Sequence, residues 1–305
     1  MIKVGCCGFP TSMARYFENF RLVELNSTFY GYPRMETVEG WREKAPKDFE
    51  FTVKAHQDIS HKAKLKIEEL SLQAFEQMKQ ICKTLNSKIL LIQTPASFKP
   101  DKLADAEKFF EKVDRESLIL VWETRGDAWE SKENYERLRK VLKNLDVGHV
   151  TDPFKVMPTY TGEIAYFRLH GLGKQMYYYQ YSDEELQKLK ELITPYEKKG
   201  KDIYVLFNNL SMFEDGTRFK EYLSSGSFPK ITRSTGLASV KEVAEKTRYP
   251  TTKSMLIKRL GWRLAEAEEG KQVRLEKLLT NLPSKSFNSV DELVKEIRLN
   301  KKINA

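Results

Sequence analysis

Short apolar runs recur along the first three quarters of the chain, and amphipathic stretches separate them. Each run is rich in Val, Ile, Leu and Phe and is bounded by Pro, Gly, Asn or Asp, which is the pattern of a buried strand. We predict eight such strands, at residues 3–8, 22–29, 49–56, 88–94, 118–125, 147–152, 164–171 and 202–209.

The stretches between these strands have the spacing of amphipathic helices. Clear examples are residues 35–45, 70–85 and 134–145, while residues 182–193 open with Ser182 and carry Glu185 three positions on, the pattern of a capping box. Strand and helix alternate eight times over about 225 residues, with the helix after the sixth strand weak or missing. This count predicts an α/β fold of the TIM (β/α)8-barrel type. An open doubly wound sheet is the alternative, but the chain has no GxGxxG or GxxxxGK[ST] loop after its first strand.

The pattern changes after Ser227, where strand and helix cease to alternate. Residues 239–248, 252–260, 273–282 and 289–298 each predict a helix, the second of them beginning after Pro250. We therefore predict a barrel domain over residues 1–228 and a small, basic, all-helical domain over residues 236–300.

Composition excludes a membrane-spanning or disulfide-stapled protein. The chain has 305 residues, 40% of them hydrophobic and 31% charged, and no apolar run approaches the ~18–20 residues of a membrane span. Its first residues begin directly on a strand pattern and lack the layout of a signal peptide. Three cysteines, with Cys6 and Cys7 adjacent, do not make a disulfide framework. We expect a cytoplasmic protein that does not associate with membranes.

The net charge of +9 is concentrated at one end of the chain. From Lys230 to Ala305 there are 17 Lys+Arg against 9 Asp+Glu, whereas the preceding 229 residues hold 35 against 34. Such asymmetry indicates a polyanionic partner, with DNA or RNA as the first candidate, and a well-solvated helical surface as the alternative. The residues that we predict to contact nucleic acid, from their spacing along one helical stripe, are Lys253, Lys258, Arg259 and Arg263.

Polar residues mark the carboxyl end of nearly every predicted strand. In VELNSTFY, Glu24 and Asn26 are two positions apart, so on a strand both side chains point to the same face. The carboxyl ends of barrel strands surround the mouth where barrel active sites lie. The other strand-end residues are Lys54 with His56, Gln93, Glu123 with Arg125, Asp152, Arg168 with His170, and Asn208 with Asn209.

These residue types favour chemistry on an anionic substrate. Lys54, Arg125 and Arg168 would place three cations at the mouth, with arginine suited to bidentate phosphate contacts. The catalytic candidates are Glu24, Glu123 and Asp152 as general bases or metal ligands, and His170 as a general acid or base. The predicted substrate contacts are Asn26, Tyr30, Lys54, Gln93, Arg125, Arg168, Asn208 and Asn209. The sequence thus predicts a hydrolase of the phosphodiesterase type acting on a nucleotide or nucleic acid.

Several other interpretations stay open. The arginines and glutamates could form a structural ion-pair network that closes the barrel top. A Mg²⁺ or Mn²⁺ ion could be held by carboxylates, although four histidines give no support to a zinc cluster. A non-catalytic nucleotide-binding module and a glycosidase with Glu24 and Glu123 as its carboxylate pair are further alternatives. The tyrosine run at residues 176–181 would be a stacking platform for bases or a packing lid.

Several motifs, in one order, resemble the YecE-like family, also called domain of unknown function 72. They are VGCCGFP, VELNSTFYGYP, VWETR, YFRLHG and FNN, and the match runs over roughly residues 2–225. The resemblance implies a TIM barrel without a settled activity. The family's patterned polar positions fall on Glu24, Asn26, Tyr30, Lys54, Gln93, Glu123, Arg125, Arg168, His170 and Asn208.

A departure at the first strand qualifies that resemblance, and the tail shows a second, separate one. The family usually opens closer to G-T-S-G-W with a longer loop, whereas this chain has GCCGFP and a short segment after it, which would narrow the mouth near the first strand. Separately, SVKEVAEKTRYPTTKSMLIKRL in the tail resembles a small helical domain called domain of unknown function 2795. That second resemblance implies no activity.

Overall fold

The computed structural model describes residues 1–303 and the side chains of residues 1–299. The chain divides into two compact units. The first comprises Met1–His170, Gln187–Asn208 and Met212–Thr217, and the second comprises Gly171–Leu186, Asn209–Ser211 and the chain from Arg218 onward. Independent domains over residues 1–228 and 236–300 stay a prediction.

The first unit is built on one parallel sheet that curls into a barrel. The strands run β1 Ile2–Cys7, β2 Leu22–Leu25, β3 Glu50–Lys54, β4 Ile89–Gln93, β5 Ile119–Glu123, β6 Gly148–Val150, β7 Ile164–Leu169 and β8 Asp202–Phe207. Their order in the sheet is β6-β5-β4-β3-β2-β1-β8-β7. A parallel bridge between Thr151 and Phe167 joins the two edges, and the Arg168 amide donates to the Thr151 carbonyl at 3.0 Å. Over the described residues the predicted eight-stranded barrel is confirmed.

Helices follow the strands as the alternation predicted. They are α1 Met13–Asn19, α2 Ser27–Tyr30, α3 Met35–Lys44, α4 Glu69–Leu85, α5 Leu103–Lys112, α6 Lys132–Leu145, α7 Asp183–Lys198 and α8 Met212–Ser225. Short helical turns cover Asp58–Lys62, Pro100–Lys102 and Asp127–Trp129. Between β6 and β7, in this part of the described chain, there is a loop and no helix, which confirms the gap expected after the sixth strand.

The barrel interior is apolar in its middle and polar at both ends. Its core contains Leu91, Val121 and Leu206, contributed by three different strands. At the end where the strands begin, the Lys3 ammonium lies 2.7 Å from a carboxylate oxygen of Glu50. The apolar layer therefore separates this amino-terminal ion pair from the polar residues at the carboxyl ends.

The tail, considered within the second unit, contains the predicted helices and also short strands. Its elements are α9 Gly236–Ala244, β9 Thr251–Thr252, α10 Lys253–Leu260, β10 Leu264–Glu268, β11 Lys271–Arg274, α11 Leu275–Leu279, β12 Ser286–Phe287 and α12 Val290–Ile303. Strands β10 and β11 form an antiparallel hairpin, and β9 pairs with β12. The expectation of an all-helical tail needs this correction. The hairpin strands are short and highly charged, so they lack the apolar alternation that would have predicted them.

The tyrosine run packs inside the second unit. Tyr178 meets Trp262 edge-to-face with ring centroids 6.4 Å apart, and the Arg274 guanidinium lies 4.1 Å from the centre of the Tyr179 ring. The Gln180 side-chain oxygen also accepts from the Leu264 amide at 2.9 Å. These contacts give the run a packing role within this unit.

Two further observations concern the helices and the cysteines. Across residues 1–303, no helix has the length and apolar character needed to cross a membrane. Cys6, Cys7 and Cys82 are free thiols with buried side chains.

Candidate functional site

The carboxyl ends of β2, β3, β5 and β7 supply the charged side chains of the candidate site. Glu24 lies in β2, Lys54 and Glu123 are the last residues of β3 and β5, and Arg168 lies near the end of β7. Because side chains alternate along a strand, each of these residues points to the same face as its neighbour two positions away.

Arg168 links two carboxylates from opposite parts of the sheet. Its Nη2 donates to Glu24 Oε1 at 2.7 Å, and its Nη1 donates to Glu123 Oε2. The side chain is 1% exposed, and those of Glu24 and Glu123 are 0% and 6% exposed. Burial alone would lower the pKa of Arg168, but the two carboxylates outweigh it and hold this pKa well above its usual value. The guanidinium therefore stays charged and ties β2, β5 and β7 together.

Glu24 is oriented by neutral donors as well as by Arg168. The Tyr166 hydroxyl donates to Glu24 Oε2 at 2.8 Å, and Asn26 Nδ2 donates to Glu24 Oε1 at 3.0 Å. The Thr52 hydroxyl is 2.7 Å from the Tyr166 hydroxyl. Every oxygen of Glu24 is thus engaged, which leaves this carboxylate poorly placed to accept a proton from a substrate.

Glu123 is held ionised by two arginines. Besides its bond with Arg168, it accepts from Arg125 Nε at 2.8 Å through Oε1. Burial would raise the pKa of Glu123, but the charges of Arg168 and Arg125 outweigh burial and hold that pKa well below its usual range. The side chain acts as a fixed negative charge at neutral pH.

His170 connects Arg125 to Asp152. Its Nε2 accepts from Arg125 Nη2 at 2.8 Å, while its Nδ1 lies 3.8 Å from Asp152 Oδ2. Its backbone amide donates to the same Asp152 oxygen at 3.1 Å. Burial lowers the pKa of His170, which favours the neutral ring with an unprotonated Nε2. We conclude that His170 and Asp152 orient Arg125.

Lys54 is a buried cation that lies against an aromatic ring. Its side chain is 7% exposed, and its Nζ lies 4.0 Å above the centre of the Phe29 ring. No carboxylate of the described residues comes within ion-pair distance of this ammonium. Glu24 and Glu123 are paired with arginines instead. Burial lowers the pKa of Lys54 to about 8, with the positive charge of Arg168 adding to the effect.

His61 is a site residue that sequence reasoning missed. It lies on the helical turn after β3, its Nδ1 is 2.9 Å from the Ser60 hydroxyl, and its ring meets Phe29 edge-to-face at 4.8 Å between centroids. Its ring and the Lys54 ammonium pack against the same Phe29 ring. Burial lowers the pKa of His61, and the charges of Lys54 and Arg125 lower it further. Tyr166 and Thr52 were missed as well, although each lies two positions before a predicted site residue on the same strand face.

The remaining predicted site residues vary in their placement. Gln93 ends β4 in the buried layer, Asn208 follows β8 and is half-buried, and Tyr30 ends α2 with its side chain 74% exposed. Asn209 belongs to the second unit, where its Nδ2 donates to the Tyr179 carbonyl at 2.8 Å. Roles for these four residues in substrate binding stay predictions.

His56, two positions after Lys54, is held in place by neighbouring side chains. Its ring stacks on Tyr32 with centroids 4.0 Å apart, and its Nδ1 lies 3.1 Å from Asp58 Oδ2. Among the described residues, no group of three or more His, Cys, Asp or Glu side chains is arranged to hold a metal ion.

The predicted nucleic-acid contacts of the tail do not form one helical stripe. Lys258 and Arg259 are exposed near the end of α10, but that helix ends at Leu260, so Arg263 lies beyond it. Lys253 donates to the Leu282 carbonyl at 2.5 Å, and the Arg263 guanidinium packs 5.1 Å from the centre of its neighbouring indole ring. Placing Arg263 on the same helix as Lys258 was wrong, because Gly261 ends the helix first.

Eight parallel strands with a buried charged cluster at their carboxyl ends define a (β/α)8-barrel protein. The chain belongs to the DUF72 family, since the family model described as "Protein of unknown function DUF72" matches residues 8–227. This confirms the resemblance drawn from its motifs. The resemblance of the tail to domain of unknown function 2795 stays a prediction.

Relatives and solved structures agree with this assignment. The UPF0759 protein YunF of Bacillus subtilis is 25% identical over 228 residues, covering 64% of this chain and 79% of that protein. The UPF0759 protein YecE of Escherichia coli is 33% identical over 141 residues, covering 46% of this chain and 51% of that protein. This chain thus spans about half the length of YecE.

Crystal structures of two DUF72 family proteins share the fold. The protein from Thermotoga maritima is 26% identical with a TM-score of 0.58, covering 74% of this chain and 100% of that one. The protein from Enterococcus faecalis is 24% identical with a TM-score of 0.62, covering 74% and 98%.

Proposed function

We propose that this protein is an enzyme that binds a small anionic substrate, such as a phosphate ester, at the carboxyl-terminal mouth of its barrel. The observation that carries the proposal is the buried ammonium of Lys54, which has no carboxylate partner within the described residues. A cation taken out of water without a partner is costly, so the site is completed by an anion that the substrate brings.

The pairing of charges at the mouth supports this proposal. Glu24 and Glu123 lie against Arg168 and Arg125, and Asp152 lies against His170, so the carboxylates of the site are engaged by groups other than Lys54. An anion in this water-poor space would be attracted more strongly than at the surface, because the effective dielectric constant is lower. Arg125, 18% exposed against 1% for Arg168, is the more accessible of the two arginines of the site.

The geometry supports different proposed roles for the carboxylates and the histidines of the site. Glu24, Glu123 and Asp152 act as positioning residues, because their oxygens already accept bonds from site residues. Hydrolysis of a phosphate ester would need a base for the attacking water, and His61, which packs on the same Phe29 ring as Lys54 and has a pKa lowered by burial, fits that task. We therefore move the general-base role from His170, whose Nε2 is occupied by Arg125, to His61.

Replacing Lys54 with Met tests the anion site. We expect at least a tenfold loss of affinity for inorganic phosphate and phosphate esters, since a charge-assisted hydrogen bond contributes about 1.5–3 kcal/mol. Isothermal titration calorimetry with inorganic phosphate, nucleotides and sugar phosphates measures the change. Lys47→Met, at an exposed position ahead of β3, is the matched control and should bind as the parent does. Equal affinities in the two variants would refute the proposal.

Nucleic-acid binding by the tail is a second proposal, and the exposed pair Lys258 and Arg259 on α10 supports it. Reversing both charges (Lys258→Glu with Arg259→Glu) should weaken binding to duplex DNA and flatten its dependence on salt. Each lost phosphate contact reduces the log–log slope by about 0.9. The matched control reverses the exposed pair Arg139 and Lys140 on α6. Equal salt slopes for the two double variants would assign the basic tail another role.

We retain the cytoplasm as the proposed location, because Cys6, Cys7 and Cys82 are free and buried thiols.

A further inference from the structure

We propose that Lys54 is an amine nucleophile, which forms an imine with the carbonyl carbon of an anionic aldehyde or ketone bound at the barrel mouth. The inference rests on the anion site of the proposed function and goes beyond ester hydrolysis. It narrows the substrate class to compounds that carry both a carbonyl group and a phosphate or carboxylate.

The position of Lys54 suits a nucleophile. The residue ends β3, a rigid strand between two neighbours, and its Nζ lies above the face of Phe29 at 4.0 Å. The aromatic face shields one side of the amine from water without accepting its proton. A lysine that served only to balance a carboxylate would lie against one, whereas those nearby are engaged by Arg168 and Arg125.

The surroundings of Lys54 raise its share of unprotonated amine. Burial lowers its pKa most, the charges of Arg168 and Arg125 lower it further, and those of Glu24 and Glu123 oppose the shift. His61 packs against the same Phe29 ring as Lys54, and burial lowers its pKa as well. With a pKa of about 8, roughly a tenth of the side chain is free amine at pH 7. An unperturbed lysine, with a pKa of about 10.4, has less than roughly one part in a thousand.

The reaction is a condensation that balances without an oxidant or reductant. The Nζ lone pair attacks the carbonyl carbon, a carbon–nitrogen bond forms, and the carbonyl oxygen takes up a proton to give a carbinolamine. Loss of that oxygen as water then yields the imine, so one amine and one carbonyl give one imine and one water. His61, on the same Phe29 ring as Lys54, would carry the proton between nitrogen and oxygen, and Arg125 would hold the anionic group.

Reductive trapping on the full chain tests the inference. Glycolaldehyde phosphate is added at pH 7 with sodium cyanoborohydride, which reduces an imine to a stable secondary amine, and the modified lysines are identified by peptide mass spectrometry. We expect Lys54 to be modified at least tenfold faster than the exposed Lys47. In Lys54→Arg, which keeps a positive charge but lacks the amine, the adduct at position 54 should disappear while the other lysines react as before.

The outcomes separate this inference from the proposed function. Modification of Lys54 no faster than that of Lys47 overturns the imine proposal, and it leaves the anion site intact if inorganic phosphate still binds in calorimetry. Faster modification by glycolaldehyde phosphate than by glycolaldehyde, suppressed by inorganic phosphate, supports both proposals. Fast modification by both aldehydes, insensitive to phosphate, supports the nucleophile and overturns the anion site.

Discussion

Replacing Arg168 with Met is expected to lower the free energy of unfolding by about 3–5 kcal/mol. The substitution removes the guanidinium that pairs with Glu24 and Glu123 and leaves both carboxylates in the buried layer with fewer partners. Breaking a buried pair by removing one partner is strongly destabilising, because the remaining charge is neither hydrated nor compensated. Urea unfolding followed by circular dichroism measures the change.

A matched control and a double-mutant cycle make this measurement specific. Changing Arg139 to Met should lower the free energy of unfolding by less than about 1 kcal/mol. Arg139 is 54% exposed, and its pair with Glu136 lies on the surface of α6. Adding Glu24→Gln to Arg168→Met should recover part of the lost stability, since it removes a buried carboxylate that has lost its arginine. Additive effects of the two site substitutions would show that the pair is not coupled and would contradict the arrangement described.

Lowering the pH from 7 to 5 is expected to destabilise the fold through its histidines. Burial lowers the pKa of all four, and that of His149 falls to about 4 from an ordinary value of 6.5. The unfolded chain therefore binds more protons than the folded one between these values, so stability is full above pH 6.5 and falls as the pH drops toward 4. His149 alone contributes a loss of about 2 kcal/mol at pH 5.

The hydrogen bonds of His149 explain why its protonation opposes folding. Nδ1 accepts from the Thr159 amide at 3.2 Å, and Nε2 lies 3.2 Å from the Thr124 hydroxyl, so a second ring proton would have no acceptor at Nδ1. His149→Gln should reduce the stability lost between pH 7 and pH 5 by about 2 kcal/mol. Urea midpoints at half-unit pH intervals measure the slope. Parallel slopes for the variant and the parent would count against this assignment.

Glu123 does not affect the stability change between pH 7 and pH 5. The stability that its lowered pKa provides is lost only as the pH falls below its unfolded pKa near 4.5.

The strand-helix alternation predicted the barrel because each strand is buried on both faces. Such a strand appears in the sequence as an apolar run. Side-chain parity likewise predicted that Glu24, Arg125 and Arg168 would lie at one end of the sheet, since alternation follows from strand geometry alone. Parity could not show which cation pairs with which carboxylate. That choice depends on distances across the barrel, such as the one between Arg168 and Glu24, which lie 144 residues apart in sequence.

The features that the sequence failed to predict have physical reasons of the same kind. His61 lies on a helical turn after β3, where strand parity no longer applies, so only the folded loop brings it beside Lys54. Arg263 was placed on a helix that ends before it. The hairpin of β10 and β11 is stabilised by backbone pairing between short charged segments, a feature that hydrophobic periodicity does not register.

The Arg168 bridge also has a consequence for the order in which the barrel forms. The strand that carries Arg168 is the seventh of eight, so its bonds to Glu24 and Glu123 close loops of 144 and 45 residues. Closing long loops is entropically costly and tends to come late in folding, after local strand-helix units have formed. Interactions that form after the transition state act chiefly on the rate of unfolding. The buried arginine is therefore suited to slowing the opening of the finished barrel, so that the site stays assembled between rare unfolding events.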